Sequence, residues 1–217
     1  MNQKPMTKKE ATESHVKYLM DVWTDMGKPA LRTVCECAVG PGAQVSAFKK
    51  FAKKSLLIEP DPDMARDAST NYPWAEVVQV AIASDYGKAN LRKMRGQSYI
   101  KGIKWAPAFS TPASQHRLKT AGKVPVETVP FSAVDDGEID LINIDCEGSE
   151  WFVLETMLSR PLLLQIEFYE NHGYYREITD WLAENNYRPV KYWGNSNVIY
   201  VNANLTEYDT EVVTSET

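Results

Sequence analysis

The sequence predicts an α/β fold wound around a mostly parallel sheet, and three observations predict it. Apolar runs of strand length alternate with segments of helical period from residue 32 onward. The links between them are short, as in repeated strand–helix–strand units. The stretch Ala38-Val-Gly-Pro-Gly42 stands where the first strand turns into its helix, the end of such a sheet at which ligands bind.

Ahead of this core, Thr7-Lys-Lys-Glu10 has capping-box spacing and opens a helix. Val16, Leu19, Met20 and Trp23 follow at i, i+3, i+4 and i+7 as one apolar face, and Gly27 and Pro29 end it. Residues 1–31 therefore form an N-terminal helical segment, and 32–202 the main domain. Arg32–Val39 is its first strand, and 43–53 a short helix carrying Val45, Phe48 and Phe51. Ser55–Glu59 is a buried strand stopped by Pro60 and Pro62. Met64–Thr70 is a helix and Glu76–Ala83 a third strand. Residues 84–123 break the alternation and read as a strand or two plus a long loop, with 92–123 a lid-like insertion. Val124–Pro130 and Asp140–Asp145 are strands, Glu150–Leu158 a helix, Leu162–Phe168 a strand and Tyr175–Asn185 a helix. Tyr187–Trp193 and Val198–Asn202 close the domain as a hairpin turning at Gly194-Asn195. The tail, 203–217, has four acids and no base, and is expected to fray.

Composition excludes several classes. A chain of 217 residues can bury a full core without staples, and 11% aromatic residues argue against disorder. No run approaches the roughly 18–20 apolar residues of a membrane span. The first fourteen residues lack the apolar centre of a secretory signal. Three cysteines make no disulfide framework and fit a reducing, cytoplasmic setting. A net charge of −5 argues against unspecific nucleic-acid binding. The charge is uneven, however. Residues 92–123 hold eight bases and no acid, so the remainder of the chain is −13. That +8 segment admits an anionic partner. Residues 135–150 hold seven acids and no base, part of them inside an apolar strand pattern.

Four groups of residues carry candidate chemistry. In Glu36-Cys-Ala38-Val-Gly40-Pro-Gly42, small residues let a ligand approach the backbone. Val45 stands where a dinucleotide fingerprint needs its third glycine, and Pro41 lacks the N–H that a phosphate would use. Glu36, four residues before Gly40, suits an ammonium or sulfonium ligand. Glu59 ends the second strand, the usual place for an acceptor of a ribose diol. Asp145 and Glu147 follow the strand LINI, and such a pair can share a proton, hold a divalent cation or orient a hydroxyl. Glu150 reads instead as a helix cap. His172 is a candidate base or metal ligand, or equally a loop histidine with a backbone partner. Cys35, Cys37 and Cys146 lack metal-binding spacing and read as packed, reduced thiols. Trp105 and Phe109 among the bases could stack on a ring, though a lid is the commoner meaning.

The stretch IDLINIDCEGSEWFVLETM resembles the D-x-E-G-x-E signature of the FkbM family of methyltransferases. ECAVGPGAQVSAFKKF, LLIEPDPDM and QVAIASDYGKANL are similar to that family's successive cofactor-domain segments, and LLLQIEFYENHG and NSNVIYV to its last strands. The resemblance spans roughly 32–202. One departure is Ala38, where the turn more often starts with Gly; alanine is tolerable there at negative φ. The basic stretch 92–123 matches the family poorly.

The resemblance implies a Rossmann-like class I methyltransferase fold: a seven-stranded, mostly parallel sheet with an antiparallel last strand and helices on both faces. It implies S-adenosylmethionine as cofactor. Glu36, Ala38, Gly40 and Gly42 would cradle its methionine part, Glu59 its ribose, and Ala81-Ile82 its adenine, with Asp145 facing the methyl. The expected reaction is O-methylation of a sugar or another small-molecule hydroxyl, with Asp145, Glu147 or His172 taking the proton. Alternatively, Mg²⁺ on Asp145 and Glu147 would lower the hydroxyl's pKa. The rivals are a nucleic-acid methyltransferase, disfavoured by the absence of an N-P-P-Y motif after the fourth strand, and a cofactor-binding module without turnover. A nicotinamide oxidoreductase is weakened by the missing third glycine. The sequence leaves the oligomeric state open.

Overall fold

A computed structural model describes residues 8–28, 30–40, 44–93, 98–100, 122–170, 172–193 and 196–205. In chain order their elements are α1 (Lys8–Asp25), β1 (Leu31–Cys37), α2 (Val45–Phe48), β2 (Ala52–Ile58), α3 (Pro62–Asn71), β3 (Glu76–Val78), β4 (Ala81–Ile82), β5 (Gly87–Lys93) and β6 (Tyr99–Ile100). There follow β7 (Gly122–Val129), β8 (Ile139–Ile144), α4 (Glu150–Thr156), β9 (Leu163–Glu167), α5 (Tyr175–Glu184), β10 (Tyr187–Trp193) and β11 (Asn197–Asn202). Thr7, Pro29, most of 92–123, the turn at 194–195 and the tail beyond 205 lie outside the described residues. So does the lid expectation.

The main sheet has seven strands in the order β10-β11-β9-β8-β1-β2-β3. The strands from β9 through β3 pair parallel, while β11 runs antiparallel to both β9 and β10. The chain thus has the class I methyltransferase architecture. Period-two alternation gives the sheet two unlike faces. On one, Cys35, Cys37, Ile58, Ile142, Ile144, Leu164 and Ile166 pack against Val153 and Leu154 of α4 and Ile178 and Leu182 of α5. On the other, Val34, Leu141, Leu163 and Val201 meet Val16, Leu19, Met20 and Trp23 of α1. Gly27, at φ 62°, ends α1 with its N–H on the Thr24 carbonyl, and the chain reverses into β1.

Three elements differ from the sequence reading. The helix expected over 43–53 is a single turn, because Ala52 and Lys53 already belong to β2, paired with the start of β1. Asp61 caps α3 by accepting from the Asp63 N–H, and Pro62 occupies its first turn, so that helix begins two residues early. The third strand is two strands. The Val80 N–H bonds the Val78 carbonyl, a tight three-residue turn that bends the chain out of the main sheet. Beyond it β4 pairs parallel with β7 in a second, four-stranded sheet of order β4-β7-β5-β6.

Part of the acidic run is structural. The buried Asp135 carboxylate accepts from the N–H groups of Gly137, Leu158 and Ser159 and from the Ser159 hydroxyl. It therefore ties the entry of β8 to the exit of α4. Asp135→Ala would leave these donors unpaired and is expected to cost roughly 3 kcal/mol or more. A urea midpoint equal to wild type would show that water replaces the carboxylate without loss.

Candidate functional site

The register places the candidate residues in two rows on one face of the main sheet. Glu36 pairs with Leu57 of β2 and with Asn143 of β8, and Asn143 pairs with Gln165 of β9. Directly paired residues share a face, so Glu36, Asn143 and Gln165 form a polar row just beyond the apolar row that α1 covers. Two residues further along each chain stand Ala38, Glu59, Asp145 and Glu167, at the carboxyl edge where open α/β sheets bind ligands.

Glu36 is 5% exposed, and its Oε2 has no hydrogen-bond partner among the described residues. Burial pushes its pKa up to about 8, against the pull of a hydrogen bond from Asn143. Ala38 lies at φ 62°, not at the negative value expected for alanine, and Gly40 lies at φ 51°. The left-handed turn is held from two sides. The Ala38 N–H donates to the Ile58 carbonyl, and the Gly40 N–H donates to Glu59 Oε2 at 3.2 Å. Glu59 Oε1 accepts from the Asp61 N–H at 2.8 Å. Burial raises the Glu59 pKa while these two backbone donors lower it. Each of its oxygens keeps a lone pair for a further donor. Among the described residues, a Cβ built on Gly40 would meet only the Ala38 carbonyl oxygen, at 4.0 Å. Gly42 lies outside the described residues. From the basic segment, Lys93 reaches back to Asp61 at 2.9 Å and Asp63 at 2.7 Å, bracing the loop after Glu59.

A shallow cleft opens between the two sheets. Ala38, Ile58, Pro60, Ala81, Ile82, Leu91, Tyr99, Ile100, Cys146 and Ser149 line it. Of the sequence-derived site residues it gathers Ala38, Ala81 and Ile82. Glu36, Glu59 and Asp145 are not on its wall, which is mostly apolar and suits a flat ring more than a charged group.

Beside it the loop 145–150 concentrates charge. Burial pushes the Asp145 carboxyl well above its usual range, and the charges of Glu167, Glu147, Glu150 and Glu36 add to this in that order. Glu147, in the left-handed region at φ 51°, is raised to about 7 by burial, then by Glu150 and Glu167. Glu150 serves the fold, though not as the helix cap: Ser149 holds that position, and the Glu150 carboxylate accepts from the Cys146 and Gly148 N–H groups of the preceding loop. His172 is buried against it, with Nε2 2.8 Å from Glu150 Oε2. The Tyr174 N–H donates to His172 Nδ1 at 3.1 Å, so Nδ1 carries no proton and Nε2–H donates to Glu150. Both nitrogens are thereby engaged. The reading of His172 as a base or metal ligand does not fit this geometry; the loop histidine with a backbone partner does.

Cys35 and Cys37 lie with their sulfurs 3.9 Å apart, and Cys37 in turn contacts Cys146. All three are free thiols, and the Cys37 hydrogen bond and burial push the Cys146 thiol well up, away from the reactive thiolate. Among the described residues, no group of three or more His, Cys, Asp or Glu has the geometry to hold a metal ion. None of their helices is long and apolar enough to cross a membrane.

Sequence reasoning missed Glu167, Asn143 and Gln165 as members of the site. Glu167 ends β9 beside Asp145, and its Oε1 accepts from the Tyr169 hydroxyl at 3.0 Å and from Ser196 Oγ at 3.2 Å. The signal was present: Asn143 in DLINID and Gln165 in LLLQIEF are polar residues inside runs that otherwise read as buried strand.

The sequence model of the methyltransferase FkbM domain matches residues 38–189. No curated protein gives a match. Among solved structures, a putative methyltransferase from Escherichia coli is 13% identical with a TM-score of 0.48, the match covering 92% of this chain and 88% of that one. A putative methylase from Haemophilus influenzae is 14% identical with a TM-score of 0.48, covering 88% of this chain and 98% of that one. Magnesium protoporphyrin IX methyltransferase from Synechocystis, solved with bound S-adenosylmethionine, is 8% identical with a TM-score of 0.46, covering 92% and 85%.

Proposed function

Because the chain belongs to the FkbM methyltransferase domain family, we propose that it transfers a methyl group from S-adenosylmethionine to a hydroxyl of a sugar or related small molecule. The observation that carries the cofactor assignment is the buried Glu36 oxygen with no donor among the described residues, beside a left-handed turn. An ammonium group is what such an oxygen lacks. Glu36, Ala38 and Gly40 would hold the methionine part, Glu59 the ribose hydroxyls, and the apolar cleft at Ala81-Ile82 the adenine. When bound, the cofactor supplies a methyl on a sulfonium, whose carbon–sulfur electron pair stays with sulfur as the carbon–oxygen bond forms.

The protein's own part is alignment and proton removal. Asp145, at the edge of β8, takes the hydroxyl proton; its raised pKa makes it a better base than a solvated carboxylate. Glu147 and Glu167 sustain that proton affinity. No step needs a divalent cation.

Calorimetry with S-adenosylhomocysteine tests the site. Gly40→Ala is the cleaner variant, since a β-branched residue at φ 51° would distort the turn as well as obstruct it. Binding is expected to weaken at least ten-fold with the fold retained. A folded Gly40→Ala protein that binds like wild type would place the cofactor elsewhere.

A further inference from the structure

We propose that the carboxyl ends of β8 and β9 form an acceptor subsite for a hydroxylated primary amine of the amino-sugar class, with Asn143 and Gln165 as its floor and Asp145 and Glu167 as its rim. The inference rests on the methyl-transfer reading, whose acceptor it names.

The floor is the independent observation. Asn143 is 4% exposed and Gln165 1% exposed, yet Asn143 Oδ1 and Gln165 Oε1 have no partner among the described residues. Their amide nitrogens are already directed sideways, that of Asn143 to Glu36 and that of Gln165 to Asn197 Oδ1 at 3.3 Å. What remains is two buried carbonyl oxygens on neighbouring strands whose backbones run about 4.8 Å apart. Leaving such oxygens without a donor is costly, and native interiors rarely tolerate it. Both ask for hydrogen-bond donors from a ligand.

The rim asks for the same thing. One pleat repeat further on, roughly 6.7 Å along the strands, Asp145 and Glu167 offer carboxyl oxygens as acceptors. Tyr169 and Ser196 hold Glu167 Oε1 in place, so the rim is preformed. A primary ammonium brings three donors and a positive charge to this setting, and an adjacent hydroxyl reaches Asp145. The distance between rows is about the width of a substituted six-membered ring. An anionic acceptor, which the +8 segment admits, would meet acceptors on every side.

The experiment uses the full chain loaded with S-adenosylhomocysteine at pH 7, with glucosamine, glucose and glucuronate as probes in ligand-observed NMR titrations. Glucosamine is expected to bind at least ten-fold tighter than glucose, and glucuronate more weakly than either. Gln165→Leu should erase the glucosamine preference while leaving S-adenosylhomocysteine affinity intact and the melting temperature unchanged or higher, because it removes an unpaired oxygen. Should that variant not fold, Glu167→Gln at the rim carries the same comparison. Equal binding of glucosamine and glucose, or a preference that survives substitution, overturns the subsite and leaves the floor as a place for water only. Loss of S-adenosylhomocysteine binding by the wild type would instead overturn the methyl-transfer reading.

Discussion

Replacing Asp145 by Asn is expected to cut turnover by roughly 10²-fold or more, the scale of losing a general base. S-adenosylhomocysteine affinity should stay within a few-fold, and the melting temperature should hold or rise. The stability result follows from the surroundings: burial and four neighbouring carboxylates all disfavour the Asp145 charge, so its removal relieves repulsion. The same raised pKa fixes the pH dependence. A base works ionised, so the wild-type rate should climb with pH above the usual carboxylate range, because burial and the neighbouring carboxylates hold the Asp145 proton. The Asn variant should lose that climb. Chelation by EDTA should change neither profile. Full activity in Asp145→Asn, or activity lost only in proportion to stability, would leave the carboxylates as scaffold.

Glu36→Gln is expected to change both the pH dependence of stability and cofactor binding. The folded pKa of Glu36, about 8, lies above its ordinary value near 4.5, so folding favours the protonated form. Its contribution is complete below about 4.5 and is lost as pH rises through about 8. At about 1.4 kcal/mol per pKa unit, the loss is on the order of several kcal/mol, and Glu147 adds to it in the same direction up to about 7. The melting temperature of the apo protein should therefore fall between pH 5 and 9. Glu36→Gln should flatten that slope and exceed wild type at pH 8. Cofactor binding inverts the preference, because an ammonium beside Glu36 favours the carboxylate. Binding of S-adenosylhomocysteine at pH 7 should release a proton, seen as a buffer-dependent calorimetric enthalpy. The Gln variant should release none and bind at least ten-fold more weakly. An unchanged melting slope in Glu36→Gln would show that water or another donor already satisfies the carboxylate.

The strands of the main sheet were legible because each is a short run whose composition survives the loss of its neighbours. LLIE, LINI and LLLQIEF read as buried strand wherever they pair. The second sheet was not legible as a sheet. Its β4–β7 pairing joins Ile82 to Val129, and nothing local in QVAIAS announces the bend at Val80 that detaches β4 from β3. In the site, Glu36, Gly40 and Glu59 stood out because small and acidic residues at strand ends are rare without a reason. The sign of φ at Ala38, on which alanine's tolerance there rested, was not legible, because the turn is held from outside its own stretch by Glu59 on the Gly40 amide. His172 was ambiguous for a similar cause. Glu150, which decides its role, is twenty-two residues away in sequence.

The last strand to be made is not the last in space. β11 inserts between β9 and β10, and it brings Ser196 to Glu167 and Asn197 to Gln165. On a ribosome, β1 to β3 emerge long before residues 196–202. Until they do, the apolar edge LLQIE of β9 has no neighbour on that side, an open template for strand pairing with other chains. A chain truncated before residue 196 is therefore expected to lose solubility through that bare edge.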